Sequence, residues 1–268
     1  MTLRDYLFYE EPGITLYCGD ARVLSPLLFP GTCSTYCLED CSGRCKGVDF
    51  IFTDPPFGHN NNDGDLIANR EKALGRGEPG PARPIANDGP EADALIQWAF
   101  REFDRILASG GCCCCCCCGG GGPDPQFARW SLWLDQAVGF KHMVVWDKGP
   151  MGMGWHYRRS YETILVGQKR GGPCKWYDET DRVENIIRHI PKIIPQVDAH
   201  PTPKPVALAE YFIPLHSRPG ELIFDPFVGA GSTLEAAKNL GRRAIGIEIE
   251  PKYCEMTVKR LRQEVLPL

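Results

Sequence analysis

Thr53-Asp54-Pro55-Pro56-Phe57-Gly58 follows an apolar run, Val48-Asp49-Phe50-Ile51-Phe52, that is too short for a helix and rich in strand formers. The two prolines end that strand, because neither donates to a ladder and each fixes its own φ. The result is a rigid corner at a strand's C-terminal edge, offering a carboxylate, carbonyls freed from the ladder and an aromatic face. Open α/β sheets place their ligands at that edge. An amine held there would donate to Asp54 and to a freed carbonyl while its ring stacks on Phe57. A lone D-P-P-F also closes ordinary strand-ending turns with a core phenylalanine, so the motif leaves both readings open.

Outward from this corner the chain alternates strands and helices. Ile14-Thr15-Leu16-Tyr17-Cys18 reads as a strand ending at Gly19-Asp20, and Ala21 to Leu28 as a short helix. Helices are expected at Glu91 to Leu107, opened by Asp88 or Gly89 and closed by Gly110-Gly111, and at Phe127 to Val138. Further helices are expected at Val206 to Leu215, Ser232 to Leu240 and Pro251 to Glu264, the last with proline in its first turn, where the missing N–H costs nothing. Strands are expected at His142 to Trp146, Thr163 to Val166, Glu221 to Asp225 and Ala244 to Ile249. The pattern argues for an α/β fold, a mostly parallel sheet covered on both faces.

At 268 residues this is read as one domain over 1–268, large enough to bury a core. Residues 59–90, heavy in Gly, Pro and Asn, are expected to be a mobile loop, and 149–199 an insertion that meets a partner. No apolar stretch is long enough to span a bilayer, and Asp5, Glu10 and Glu11 do not fit a signal peptide, so a cytoplasmic location is expected. The net charge is −4, yet residues 141–192 hold ten Lys/Arg against six Asp/Glu, a local basic segment in an acidic chain.

Fourteen cysteines stand out. Seven are consecutive, Cys112 to Cys118, where a buried strand should fall; cysteine is small and readily buried, and the run is assigned no chemistry. Cys33, Cys37, Cys41 and Cys45 match tetrahedral zinc in number, but structural sites pair ligands as C-x2–4-C across a longer span. The preferred reading is a cysteine-rich loop without metal, with structural zinc as the alternative.

Asp225-Pro226-Phe227-Val228-Gly229-Ala230-Gly231-Ser232-Thr233 is a strand, a glycine turn and a helix start. Gly229 and Gly231 let the backbone approach a ligand, and the helix N-terminus offers free N–H groups and partial positive charge. No lysine follows Gly231, so this is not a P-loop, and Leu234 stands where a dinucleotide fingerprint has its third glycine. Glu248, ending the next strand, is placed to accept from ribose hydroxyls. A nucleoside carrying an amino-acid tail suits these groups better than a dinucleotide.

Taken together, the motifs resemble a family. Asp225 to Thr233 looks like the S-adenosylmethionine motif of amino-group DNA methyltransferases, and Asp54-Pro55-Pro56-Phe57 looks like their catalytic D/N/S-P-P-Y/F motif. His200-Pro201-Thr202-Pro203-Lys204-Pro205 is similar to the segment that precedes their cofactor motif, and Trp146-Asp147-Lys148 with Arg158-Arg159-Ser160-Tyr161-Glu162 also matches. Catalytic motif before cofactor motif resembles the circularly permuted β group. The resemblance implies a Rossmann-like sheet in which the chain's last two strands come first, the strand ending at Asp20 third and the Asp54 strand fourth. It implies that Asp20, Thr202, Lys204, Asp225, Phe227, Gly229, Gly231, Ser232, Thr233 and Glu248 hold S-adenosylmethionine, Asp20 at its adenine.

The implied activity is site-specific methylation of double-stranded DNA in a restriction-modification setting, with a homodimer left open. An exocyclic amine is a poor nucleophile because its lone pair is delocalised into the ring. Donation to Asp54 and the Pro55 carbonyl would favour a pyramidal nitrogen, in line with the sulfonium methyl. The duplex hides that amine, so the base must be flipped out to stack on Phe57. In the family, D-P-P goes more often with adenine N6 than with cytosine N4, so adenine is expected first. Arg158 and Arg159 are the expected DNA contacts, against a solvated loop as the bland alternative. RNA or protein amide methylation, a Rossmann oxidoreductase and a non-catalytic DNA-binding module are the competing classes.

Overall fold

The computed structural model describes residues 2–31, 47–58, 85–117, 126–150, 156–157, 160–193 and 200–263. A short 3-10 turn, Leu3–Tyr6, leads into strands β1, Leu7–Glu11, and β2, Ile14–Cys18, followed by helix α1, Ala21–Leu28. Next come β3, Val48–Thr53, α2, Ala92–Ile106, β4, Leu107–Cys117, and α3, Gln126–Ala137. The chain continues through β5, Phe140–Asp147, β6, Tyr161–Gln168, β7, Ile186–Ile187, and α4, Val206–His216. It ends with β8, Leu222–Asp225, α5, Ser232–Asn239, β9, Arg243–Glu248, and α6, Pro251–Leu261. The four cysteines from Cys33 to Cys45, residues 59–84, and Arg158 and Arg159 lie outside the described residues.

One sheet runs in the order β1-β2-β9-β8-β3-β4-β6-β5-β7. Its centre, β2-β9-β8-β3-β4, is parallel throughout. β1 joins β2 as an antiparallel hairpin, and β6 runs antiparallel to both β4 and β5. The last two described strands therefore lie between β2 and β3. Both faces are covered. α4, α5 and α6 pack on one through Leu208, Phe212, Leu234 and Cys254, and α1, α2 and α3 on the other through Leu24, Phe103 and Trp130.

The cysteine run is a central strand. Cys112, Cys114 and Cys116 face the α4 side with Phe50 and Phe52, whereas Cys113 and Cys115 face Trp130 and Leu165. That is the two-residue alternation of a pleated strand buried on both faces. Burial raises the thiol pKa of Cys113 and Cys114, so neither offers a thiolate at neutral pH.

Two local readings are corrected. Gly110-Gly111 does not close the second helix, which already ends at Ile106; both glycines lie inside β4. There the pairing jumps from Val48 with Leu107 to Phe50 with Cys112, a bulge. Gly110 adopts φ +73°, and a Cβ on it would fall 1.8 Å from the Pro173 carbonyl oxygen. β1 was also not anticipated, because the short apolar run Leu7-Phe8-Tyr9 precedes a Pro12-Gly13 turn that the alternation pattern does not mark.

Candidate active site

Four strands of the parallel region end at one cleft. β3 delivers Asp54, β8 delivers Asp225, β9 delivers Glu248 and β2 delivers Gly19-Asp20, all at C-terminal edges, where an open sheet binds ligands. Thr202, Lys204, Phe227, Gly229, Ser232 and Thr233 line the same cleft, as do Pro55, Pro56 and Phe57. The structure thus brings together the residues that the sequence marks, apart from Gly231 and the two arginines outside the described residues.

The D-P-P-F corner is held from several sides. The buried Asp88 carboxylate accepts from the backbone N–H of Phe57 at 2.7 Å and of Gly58 at 2.8 Å. Gln126 donates to the Phe57 carbonyl at 3.0 Å. The Phe57 ring is 8% exposed and stacks on Trp130 at 6.1 Å between centroids. Asp88 or Gly89 was expected to open α2, but that helix starts after Glu91 without a side-chain cap. A loop acceptor spaced 31 residues from its donor leaves no local signal in the sequence. We expect Asp88→Ala to lower stability by about 1–3 kcal/mol, the cost of stranding buried donors, and to loosen the corner. Thermal unfolding and the rate of methyl transfer measured together would check this; an unchanged rate would show that Asp88 does not shape the corner.

Asp54 itself is asymmetric. Its Oδ2 accepts from the Lys204 ammonium at 2.6 Å, whereas its Oδ1, also shielded from solvent, accepts from no described residue. Burial raises its carboxyl to about 6 despite the opposing pull of Lys204. Lys204 is 3.5 Å from Glu162 Oε2, and Glu162 Oε1 accepts from Lys148 at 2.9 Å. Burial pushes the Glu162 carboxyl up, but the two ammonium groups outweigh it and hold the group below the usual range. The Lys204 ammonium, expected at the cofactor, therefore sits on the D-P-P-F carboxylate, 5.2 Å from the Phe57 centroid.

On the other side of the cleft, the glycine turn links β8 to α5. The buried Asp225 carboxylate accepts from Thr53 Oγ1 at 2.7 Å and Phe227 N at 3.0 Å, which ties this turn to β3. Burial raises its carboxyl to about 6. Glu248 accepts from Gly229 N and Glu250 N, both at 2.8 Å, and burial raises it to about 7. Each of its oxygens keeps a second lone pair for a hydroxyl. Gly229 and Gly231 adopt φ +52° and +85°, a region that favours glycine. A Cβ on Gly229 would lie 3.2 Å from His200 Nε2 at the cleft wall, but one on Gly231 would lie 2.8 Å from Thr257 of α6. The space that Gly231 keeps clear is thus for α6, and the expectation that it clears a ligand is corrected. Asp20 caps α1 and is paired with Arg22 through both oxygens. Burial opposes its ionisation, but the Arg22 hydrogen bonds prevail and hold its carboxyl below the usual range.

A model of the DNA methylase family matches residues 48–259. The chain belongs to that family. The chain is 33% identical over 145 residues to the type II methyltransferase M2.DpnII of Streptococcus pneumoniae, a match covering 48% of this chain and 54% of that protein. It therefore spans about half the length of that relative. To the DNA adenine methyltransferase YhdJ of Escherichia coli (strain K12) it is 26% identical over 251 residues, covering 81% and 76%. The crystal structure of the M1.HpyAVI–SAM complex superposes with a TM-score of 0.61 at 25% identity, covering 93% of this chain and all of that one.

Among the described residues, no three His, Cys, Asp or Glu side chains are grouped to hold a metal, and no helix is long and apolar enough to cross a membrane. Glu162, Lys148 and Gln126 were assigned no role of their own by the sequence reading, and Asp88 only that of opening a helix. Glu162 and Lys148 stood within segments quoted for the family resemblance, and that position was the available signal.

Proposed function

We propose that this methylase transfers a methyl group from S-adenosylmethionine to the exocyclic amine of a base flipped out of DNA, adenine N6 first. The observation that carries the reading is one cleft shared by a free carboxylate oxygen, Asp54 Oδ1, and the glycine turn with Glu248. The cleft suits that cofactor chemically. Asp20 and Glu248 offer carboxylate acceptors for an amine and for ribose hydroxyls, and the left-handed Gly229 leaves a cradle that a side chain would fill. S-adenosylmethionine supplies an electrophilic methyl on a sulfonium. The position of β8 and β9 at the chain's end but the sheet's middle supports the permuted arrangement.

In this reading one N–H of the amine donates a hydrogen bond to Asp54 Oδ1 and the other donates to the Pro55 carbonyl. Both bonds draw the lone pair out of conjugation, and positioning does the rest. A carboxylate beside a nitrogen that gains positive charge also stabilises the transition state directly. The adenine preference rests on the D-P-P form of the motif and on the name of the relative that aligns over most of both chains.

The test is a nucleoside digest of DNA incubated with enzyme and cofactor. N6-methyladenine is the expected product; N4-methylcytosine would change the base, and no methylated nucleoside would overturn the reading. The acceptor must be ionised, and its carboxyl sits at about 6. Single-turnover rates should therefore fall about tenfold per unit below that value and level off above it. A rate indifferent to pH across this range would remove Asp54 as the acceptor.

A further inference from the structure

Four side chains form an alternating line of charge into the cleft: Lys148, Glu162, Lys204 and Asp54. They come from distant parts of the chain. Lys148 follows β5, Glu162 lies on β6, Lys204 precedes α4 and Asp54 follows β3. The successive separations are 2.9, 3.5 and 2.6 Å. Glu162 and Lys204 are nearly buried, at 9% and 7% exposure. Buried charge is expensive unless it is paired, so this line is stable only with all four members ionised. At its inner end Asp54 Oδ1 has no hydrogen-bond partner among the described residues, and Glu162 Oε2 meets Lys204 as an ion pair at 3.5 Å without a hydrogen bond.

From this geometry we infer that Glu162 is a positioning residue for the Asp54 carboxylate. It shares the Lys204 ammonium, so that Lys204 orients Oδ2 without neutralising the basicity of Oδ1. The inference rests on the proposed function, because it gives a role to a residue behind the proposed acceptor. Two demands conflict at Asp54. The carboxylate must stay ionised in a site poor in water, which calls for a nearby cation. It must also remain a strong acceptor, which a cation held by Asp54 alone would weaken. An ammonium divided between two carboxylates meets both demands, and Lys148 keeps Glu162 ionised in turn.

The alternative is a structural clamp that ties β6 to the segment before α4 and has no bearing on the acceptor. The two roles differ in how charge changes propagate. The ionised groups that act on Asp54 are Lys204, Glu162 and Asp225, with Lys148 beyond Glu162; the neighbouring Cys116 thiol stays protonated. Removing Glu162's charge leaves Lys204 wholly to Asp54 and takes away a nearby anion. Both effects make Asp54 more acidic. Removing the charge of Lys204 or Lys148 acts the other way, since it strips the cation from Asp54 or lets Glu162 draw Lys204 off.

The experiment is the pH profile of single-turnover methyl transfer for the wild type, Glu162→Gln, Lys204→Gln and Lys148→Gln, with cofactor affinity measured by calorimetry in parallel. We expect the acid limb to move down by about one unit for Glu162→Gln and up by a similar amount for both lysine variants. The plateau rate of Glu162→Gln should fall about tenfold or more, with cofactor affinity kept within about threefold. Acid limbs that stay in place, or move in one common direction, overturn the inference while the methylase reading stands. A Glu162→Gln protein that no longer binds cofactor leaves the decision to Lys148→Gln, whose limb must rise. A wild type that transfers no methyl group to DNA refutes the proposed function instead.

Discussion

Replacing Asp54 with alanine abolishes methyl transfer and leaves the affinity for S-adenosylmethionine within about tenfold. The loss is expected to exceed about a thousandfold in rate, more than the removal of one hydrogen-bonding group usually costs. The excess comes from Lys204. Without Asp54 its ammonium stays beside Glu162 at 3.5 Å but loses its shortest ion pair, and it faces a nitrogen that must itself become positive in the transition state. Cofactor affinity should survive because the glycine turn and Glu248 belong to β8, β9 and α5. Thr53 also still anchors Asp225. Rate and affinity should therefore separate in single-turnover and calorimetric measurements. If both collapse together, Asp54 is a structural support and not the acceptor.

The second large effect is on folding. Gly231→Val should lower stability by about 3 kcal/mol, through a strained left-handed backbone and a forced contact. The new Cβ would fall 2.8 Å from Thr257, which is fully buried on α6, so neither partner can step aside. For a chain of this length the melting temperature should drop by about 10 °C. Gly229→Val provides the contrast. Its Cβ meets the rim residue His200 at 3.2 Å, so cofactor affinity should suffer more than the melting temperature. An unchanged melting temperature for Gly231→Val would show that α6 does not need that space.

How much of this was legible depends on how far apart the partners lie. The short runs of strand formers from Val48 to Phe52 and from Ile14 to Cys18 mark strands within a few residues, and those elements stand where expected. The family resemblance implied which strands come first to fourth, but the order of the nine across the sheet rests on long-range pairing that no local pattern marks. What failed was local punctuation with a distant cause. Gly110 looked like a helix stop, but its conformation answers to Pro173. Asp88 looked like a cap, but its carboxylate serves Phe57 and Gly58. The pairing of Lys204 with Asp54 spans 150 residues. A lysine in a proline-rich segment carries no mark of which carboxylate it will find.

The sheet order also constrains how this chain comes into being. β8 and β9 are the last strands made, yet they fill the middle of the sheet between β2 and β3. While the nascent polypeptide leaves the ribosome, β2 and β3 each present an open, apolar edge with no native neighbour. Only when residues up to Glu248 have emerged can the gap close and the two covered faces form. Folding is thus committed late and over long loops, which slows it and leaves sticky edges exposed in the meantime. A stalled or truncated product would lack its central strands, not just a tail. For this chain, holdase protection during synthesis matters more than it would for one whose central strands emerge first.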